Sequence, residues 1–135
     1  MPIGLGKTGE ELVAKYYEKL GYSILTSNFF NRFGKQTGEI DLIAVKGKDL
    51  VFIEVKARTS STFGNPFDAV NSSKQRKIVK TAKLFIKTNP QYENYNIRID
   101  VAGVVIDPVR DNASNGIDKN NESVIILENA VEDTD

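Results

Sequence analysis

Four residues in this chain have the types and spacing that hydrolytic chemistry needs: Asp41, Glu54 and Lys56 on two neighbouring β-rich runs, and Glu10 in an upstream amphipathic run. The runs Glu39 to Val45 and Leu50 to Lys56 are separated by Lys46-Gly47-Lys48-Asp49, which is hairpin turn chemistry. A turn centred on Gly47 and Lys48 pairs Val45 with Leu50, Ile43 with Phe52 and Asp41 with Glu54. Alternation then puts Glu39, Asp41, Ile43 and Val45 on one side of their strand, and Phe52, Glu54 and Lys56 on the same side of the next, with Lys56 opposite Glu39. Two carboxylates facing each other in otherwise apolar strands ask for a compensating cation. Hard ions such as Mg²⁺ or Mn²⁺ take one or two carboxylates together with waters and phosphate oxygens. A nearby lysine orients or helps deprotonate the attacking water and stabilises charge developing on a phosphate. The spacing alone also admits a plainer arrangement, in which Asp41 and Glu54 lie on a solvated face with Lys46, Lys48 and Lys56 as charge partners. A bulge would also slip the register and undo the pairing.

What the chain lacks narrows the chemistry further. It contains no His, Cys or Trp, so disulfides, thiolate and imidazole metal sites and Ser-His-Asp or Cys-His catalysis are excluded. Carboxylates, lysine and a hard metal remain.

These residues must be positioned by neighbouring elements. Leu12, Val13, Tyr16, Tyr17 and Leu20 recur at helical spacing, predicting a helix over residues 7–20 that stops at Gly21. Glu11, Lys15, Glu18 and Lys19 share its polar side, whereas Glu10 lies at the flank of the buried stripe. There it either looks toward the sheet or serves only as a first-turn acid favourable to the helix dipole. The string Gly4-Leu5-Gly6-Lys7-Thr8-Gly9 formally matches a nucleotide-binding pattern, but no strand precedes it to aim such a loop, so it reads as a leader into the helix. A short strand is expected over Tyr22 to Asn28, a loop over Phe29 to Gly38 and another over Thr59 to Pro66. A helix capped by Asn71 or Ser72 then runs to about Thr88 and ends at Asn89-Pro90. Strands follow at Ile97 to Ile106 and Glu122 to Leu127, separated by a polar loop.

The second helix carries Arg76, Lys80, Lys83 and Lys87 opposite Ile78, Val79, Ala82, Phe85 and Ile86. Such a stripe neutralises phosphates and follows a nucleic-acid backbone without reading sequence, although a merely solvated lysine face has the same pattern. Phe29, Phe30 and Phe33 would stack on bases or pack in the core. The net charge is zero, yet residues 1–100 carry 16 basic and 10 acidic side chains and residues 101–135 carry 2 and 8. That split suggests a basic working surface and an acidic end. The apolar runs fall far short of the roughly 20 residues a spanning helix needs. With no apolar leader at the N-terminus, a soluble cytoplasmic protein is expected. The length suits one mixed α/β domain over residues 1–128, followed by an acidic tail over 129–135.

The combination of Gly9-Glu10, Gly38-Glu39-Ile40-Asp41-Leu42-Ile43-Ala44, Phe52-Ile53-Glu54-Val55-Lys56 and Lys74-Gln75-Arg76 resembles the uncharacterised YraN family. It is similar also to the wider restriction-endonuclease-like superfamily, archaeal Holliday junction resolvases included. The likeness runs from about Gly9 to Asp100, and Glu128-Asn129-Ala130 looks like that family's usual ending. It implies an α/β, restriction-endonuclease-like core with a central mixed β-sheet flanked by α-helices. It also implies a Mg²⁺- or Mn²⁺-dependent nuclease acting on DNA, branched or structured DNA among its candidates. By resemblance, Asp41 and Glu54 would be metal ligands, Lys56 the catalytic lysine, Glu10 a further helix-borne acid and Gln75 a glutamine beside the site. Arg58, Lys74, Arg76, Lys80, Lys83 and Lys87 would meet nucleic acid. A homodimer would suit paired cuts in a symmetric junction. A different class of function fits the same residues, namely a nucleic-acid-binding module that keeps the fold but does not cut. A third is a protein-interaction domain whose acidic tail engages a partner.

Overall fold

The structure, a computed structural model, describes residues 5–31, 38–58, 72–108 and 120–127. The elements are α1 (Leu5–Lys19), β1 (Ser23–Asn31), β2 (Gly38–Lys46), β3 (Asp49–Arg58), α2 (Ser72–Thr88), β4 (Asn96–Pro108) and β5 (Asn120–Leu127), with a short 3-10 turn at Pro90–Tyr92 after α2. Each helix forms because its apolar positions recur on one stripe. Val13 and Tyr17 are buried on α1 while Glu11, Lys15 and Glu18 are exposed, and on α2 Ile78, Ala82 and Phe85 are buried while Arg76, Lys80, Lys83 and Lys87 are exposed. Among the described residues no helix is long and apolar enough to cross a membrane.

The five strands form one sheet in the order β1-β2-β3-β4-β5. Neighbours are antiparallel except β3 and β4, which run parallel because α2 carries the chain back across the sheet between them. The central strand β3 serves both faces. Leu50 and Phe52 pack under α2 with Ile43, Ile78, Ala82, Phe85, Ile99 and Val101, whereas Val51 and Ile53 pack under α1 with Val13, Tyr17, Leu42, Ala44, Ala102 and Val104. Burial on both faces explains why this strand reads as a nearly continuous apolar run. The mixed sheet flanked by helices is the α/β architecture expected, and it is consistent with a restriction-endonuclease-like core.

The hairpin register follows the turn. Gly47 has φ 60°, as a tight turn requires. The pairs Lys46↔Asp49, Val45↔Leu50, Ala44↔Val51, Ile43↔Phe52 and Leu42↔Ile53 then succeed one another as predicted, but the pairing ends there, short of the predicted pairs of Asp41 with Glu54 and of Glu39 with Lys56. Beyond Leu42 the geometry changes. Ile40 joins Ile43 in the core beneath α2, although Leu42 and Ala44 pack beneath α1. Strict alternation therefore breaks at Asp41, with Ile40 on the side of Ile43 instead of the side of Leu42. Asp41 instead turns its Oδ2 to accept the Val55 N–H at 2.7 Å. On the neighbouring strand the same level is occupied by Asn28, between the pairs Ser27↔Leu42 and Phe29↔Ile40, and Asn28 has φ 54°.

Strand β1 also reaches further than predicted, through Phe29 and Phe30 to Asn31. Phe29 lies edge-on to Phe85 at 5.2 Å, and Phe30 pairs with Glu39 while remaining exposed. Packing and pairing override the loop-like composition of that stretch. The loop at Thr59 to Pro66, the cap residue Asn71, Phe33 and the acidic tail lie outside the described residues.

A second polar group is buried beneath α1. Asp100 is fully buried and accepts the Tyr17 hydroxyl at 2.6 Å. It also accepts Nε and Nη2 of Arg98 at 2.9 and 3.0 Å. Asp100 pairs with Ile53, itself the partner of Leu42, so Asp41 and Asp100 flank β3 at nearly the same level.

Candidate functional site

Where β2 and β3 part beyond Leu42, a cavity of about 410 Å³ opens. Strand β2 contributes Gly38, Glu39 and Asp41, strand β3 contributes Glu54, Val55 and Lys56, and α2 contributes Lys74, Lys77 and Ile78. Alternation places Glu54 and Lys56 on the α2 side of β3 with Phe52, as the sequence predicted, and Lys56 Nζ lies 3.3 Å from Glu54 Oε1. The wall between strand and helix is thin because of Gly38. A Cβ there would collide with Thr81 Oγ1, whose hydroxyl donates to the Lys77 carbonyl at 2.7 Å inside α2.

Glu10 arrives from the other face. Gly9 lets α1 settle onto β3, since a Cβ at position 9 would stand 2.8 Å from Ala57 Cβ. The following residue is thereby delivered to the sheet. Carboxylate oxygens of Glu10, Glu39 and Asp41 lie within 4.8 Å of one another, a spacing suited to a metal ion. With its Nδ2 turned toward them, the Asn28 side chain donates to Glu39 Oε1 at 3.0 Å and to Glu10 Oε1 at 3.1 Å. The site thus has two mouths: the α2-side cavity, and a groove of about 260 Å³ between α1 and β1 whose lining includes Glu10, Ser27 and Asn28.

The electrostatics follow from this crowding. Burial, first, and then the Glu54 carboxylate push Asp41 up from the usual 3.8 to about 8. Glu10 and Glu39 act in the same direction against the Val55 N–H, which favours the anion. Burial also raises Glu54, against the pull of Lys56 and Lys74. Burial opposes the charge on Lys56, but the Lys74 amine and the Glu54 carboxylate outweigh it and hold Lys56 above its ordinary value. Lys74 is lowered, by its contact with Lys56 and then by burial. Lys56 is therefore a firm ammonium donor at neutral pH. Lys56 and Lys74 are close enough to feel the Asp41 carboxylate, but burial and the neighbouring acids still hold Asp41 toward its protonated form.

Of the residues singled out in the sequence, the structure brings Glu10, Asp41, Glu54, Lys56 and Lys74 together. Gln75 is half-buried in the first turn of α2 and is not part of the cavity wall. Arg76, Lys80, Lys83 and Lys87 form an exposed row on the outer side of α2, and the Arg58 side chain lies outside the described residues. Sequence reasoning gave no role to Glu39, Lys77 or Asn28. For Glu39 the signal was present in the repeated Gly-Glu pair, Gly9-Glu10 and Gly38-Glu39.

A family model described as uncharacterised protein family UPF0102 matches residues 9–104. The chain belongs to this family. The match spans Glu10, the central hairpin, α2 and the buried part of β4, all the elements that build the site. UPF0102 proteins similar to this chain occur in several bacteria. One from Clostridium perfringens is 47% identical over 100 residues, covering 74% of this chain and 78% of the relative. One from Caldanaerobacter subterraneus is 43% identical over 104 residues, with 77% and 81% covered. One from Chloroherpeton thalassium is 38% identical over 113 residues, covering 84% of each.

Proposed function

We propose that this UPF0102 protein is a metal-dependent phosphodiesterase acting on DNA, branched or otherwise structured DNA included, with Asp41, Glu54 and Lys56 at its centre. The reading rests on one observation above others: the carboxylate oxygens of Glu10, Glu39 and buried Asp41 converge within 4.8 Å of one another, beside Glu54, an arrangement that favours a bound cation. The donor set fits a hard ion. Every candidate ligand is a carboxylate oxygen, the chemistry that Mg²⁺ and Mn²⁺ prefer. Asp41 and Glu54 would hold the ion, with Glu10 and Glu39 on its α1 side. When bound, such an ion polarises the phosphate and acidifies a water.

The chain's own residues supply the rest. Lys56, held protonated beside Glu54, presents an ammonium to the phosphate oxygens and stabilises the charge that develops on them. Val55 fixes the rotamer of Asp41 through its N–H. Lys74 and Lys77 add positive charge at the cavity wall, and the exposed row Arg76, Lys80, Lys83 and Lys87 continues it along α2, where it would follow the backbone of a nucleic acid by charge alone.

The test is cleavage of fluorescent linear, nicked and four-way-junction DNA at saturating protein with Mg²⁺ or Mn²⁺, for wild type and Asp41→Asn. Metal-dependent cleavage by wild type alone supports the proposal. Intact DNA under saturated binding overturns it and favours a binding module that keeps the basic helix without turnover.

A further inference from the structure

Asn28 is, among the described residues, the only one other than glycine with a positive φ. An L-residue seldom adopts this conformation, and asparagine tolerates it better than most. Within a strand it interrupts the ladder. Here it does so at the level of Asp41, between Ser27↔Leu42 and Phe29↔Ile40. The neighbours show what the conformation achieves. Phe29 packs beneath α2, whereas Ser27 and Asn28 both line the groove beside α1. A strand in regular alternation would not turn two successive side chains to one side.

The side chain released in this way meets two carboxylates. The orientation of its amide is dictated by them, because the opposite one would set Oδ1 against the oxygens of Glu10 and Glu39. An amide nitrogen carries two hydrogens, so one is available to each carboxylate. Each donation engages one oxygen and leaves the other for a further partner. Glu10 comes from α1 and Glu39 from β2, and Asn28 is the group on β1 that ties them together beside Asp41.

We infer that Asn28 is a positioning residue for the metal site, holding Glu10 and Glu39 in the orientation a divalent cation requires. The inference rests on the metal reading of the site given above. Carboxylates that ligate metals are themselves held by hydrogen bonds, and losing such a partner costs about 10- to 100-fold in metal affinity. The left-handed backbone is what brings a strand residue within reach of both acids.

The experiment is Mn²⁺ titration by calorimetry on the full chain. Asn28→Gly keeps the positive φ at little steric cost and removes the side chain with its amide. Its affinity is expected to fall about 10-fold with the melting temperature near that of wild type. In a Glu39→Gln background, where one held carboxylate is gone, the same substitution should cost clearly less. A purely structural role would give equal losses in both backgrounds, and that result overturns the inference, as does unchanged affinity in Asn28→Gly. A second measurement needs neither metal nor any substitution at Asn28. The side-chain amide resonances of Asn28 in metal-free Glu39→Gln and in metal-free Glu10→Gln should be displaced from their wild-type positions, and insensitivity to both overturns the inference. Wild type that binds no Mn²⁺ removes the metal reading and the inference together. Wild type that binds Mn²⁺ with an unaltered Asn28→Gly removes the inference alone, whether or not DNA is cut.

Discussion

Asp41 and Asp100 are both buried carboxylates, one on each side of β3, and their surroundings are opposites. Asp100 accepts a tyrosine hydroxyl and a two-pronged guanidinium, so its charge is matched where it lies. Burial works against the charge on Arg98, but its hydrogen bonds to Asp100 outweigh it and hold its pKa above the ordinary value. Asp41 accepts the Val55 N–H and is crowded by Glu54, Glu10 and Glu39. Burial alone therefore does not mark a functional acid. The informative property is whether the fold binds a counter-charge directly to the acid, as Arg98 is bound to Asp100, or surrounds it with further acids that outweigh the lysines nearby.

The comparison has measurable consequences. Asp100→Ala removes the buried acceptor of the Tyr17 hydroxyl and the carboxylate that balances Arg98, and should lower stability by about 3–5 kcal/mol in urea unfolding. Asp41→Asn should do nothing of the kind. Its expected effect is on turnover, a loss of roughly 100- to 1,000-fold in DNA cleavage, and Lys56→Ala should fall in the same range. Equal destabilisation by the two aspartate substitutions would erase the contrast.

A pH series sharpens it. The folded pKa of Asp41, about 8, lies above its unfolded value near 3.8, so the native state holds a proton that the unfolded chain releases. Its contribution to stability is full below the lower value and is lost as pH rises through the higher one, by at most about 1.4 kcal/mol per pH unit for one proton. Metal-free wild type should accordingly melt lower as pH is raised across this window, and Asp41→Asn should show a flatter profile. Mn²⁺ affinity should move the other way, rising up to about tenfold per pH unit until Asp41 is ionised. The smallest effect is expected from Lys80→Ala/Lys83→Ala. It should weaken DNA binding modestly and reduce the slope of log affinity against log salt by about 0.9 for each phosphate no longer neutralised.

Much of this is legible from the sequence where a local rule governs. A tight turn at Gly47 and Lys48 fixes its own pairing, and so Leu42 meets Ile53 as predicted. Helical spacing exposes the basic row of α2 for the same reason. Ile40 departs from its expected face, on the side of Ile43 and not of Leu42. Alternation is a property of regular strands, and the break at Asp41 lies at the level of Asn28, on a separate strand, whose left-handed conformation no spacing in β2 records. Asp100 is equally hidden. A carboxylate inside an apolar run announces nothing about its partners, because Tyr17 lies 83 positions away along the chain.

Two glycines described above act like machined clearances. Gly9 and Gly38 each stand directly before an acid of the cluster, one against Ala57 and the other against Thr81, with less room than a methyl group occupies. The position of a charge is thereby set by the thickness of its neighbour. A methyl added at either place is a shim: it leaves the carboxylate chemically untouched, yet lifts a whole layer and carries the acid out of tolerance. Gly9 and Gly38 are for that reason as much part of the site's specification as the acids that follow them.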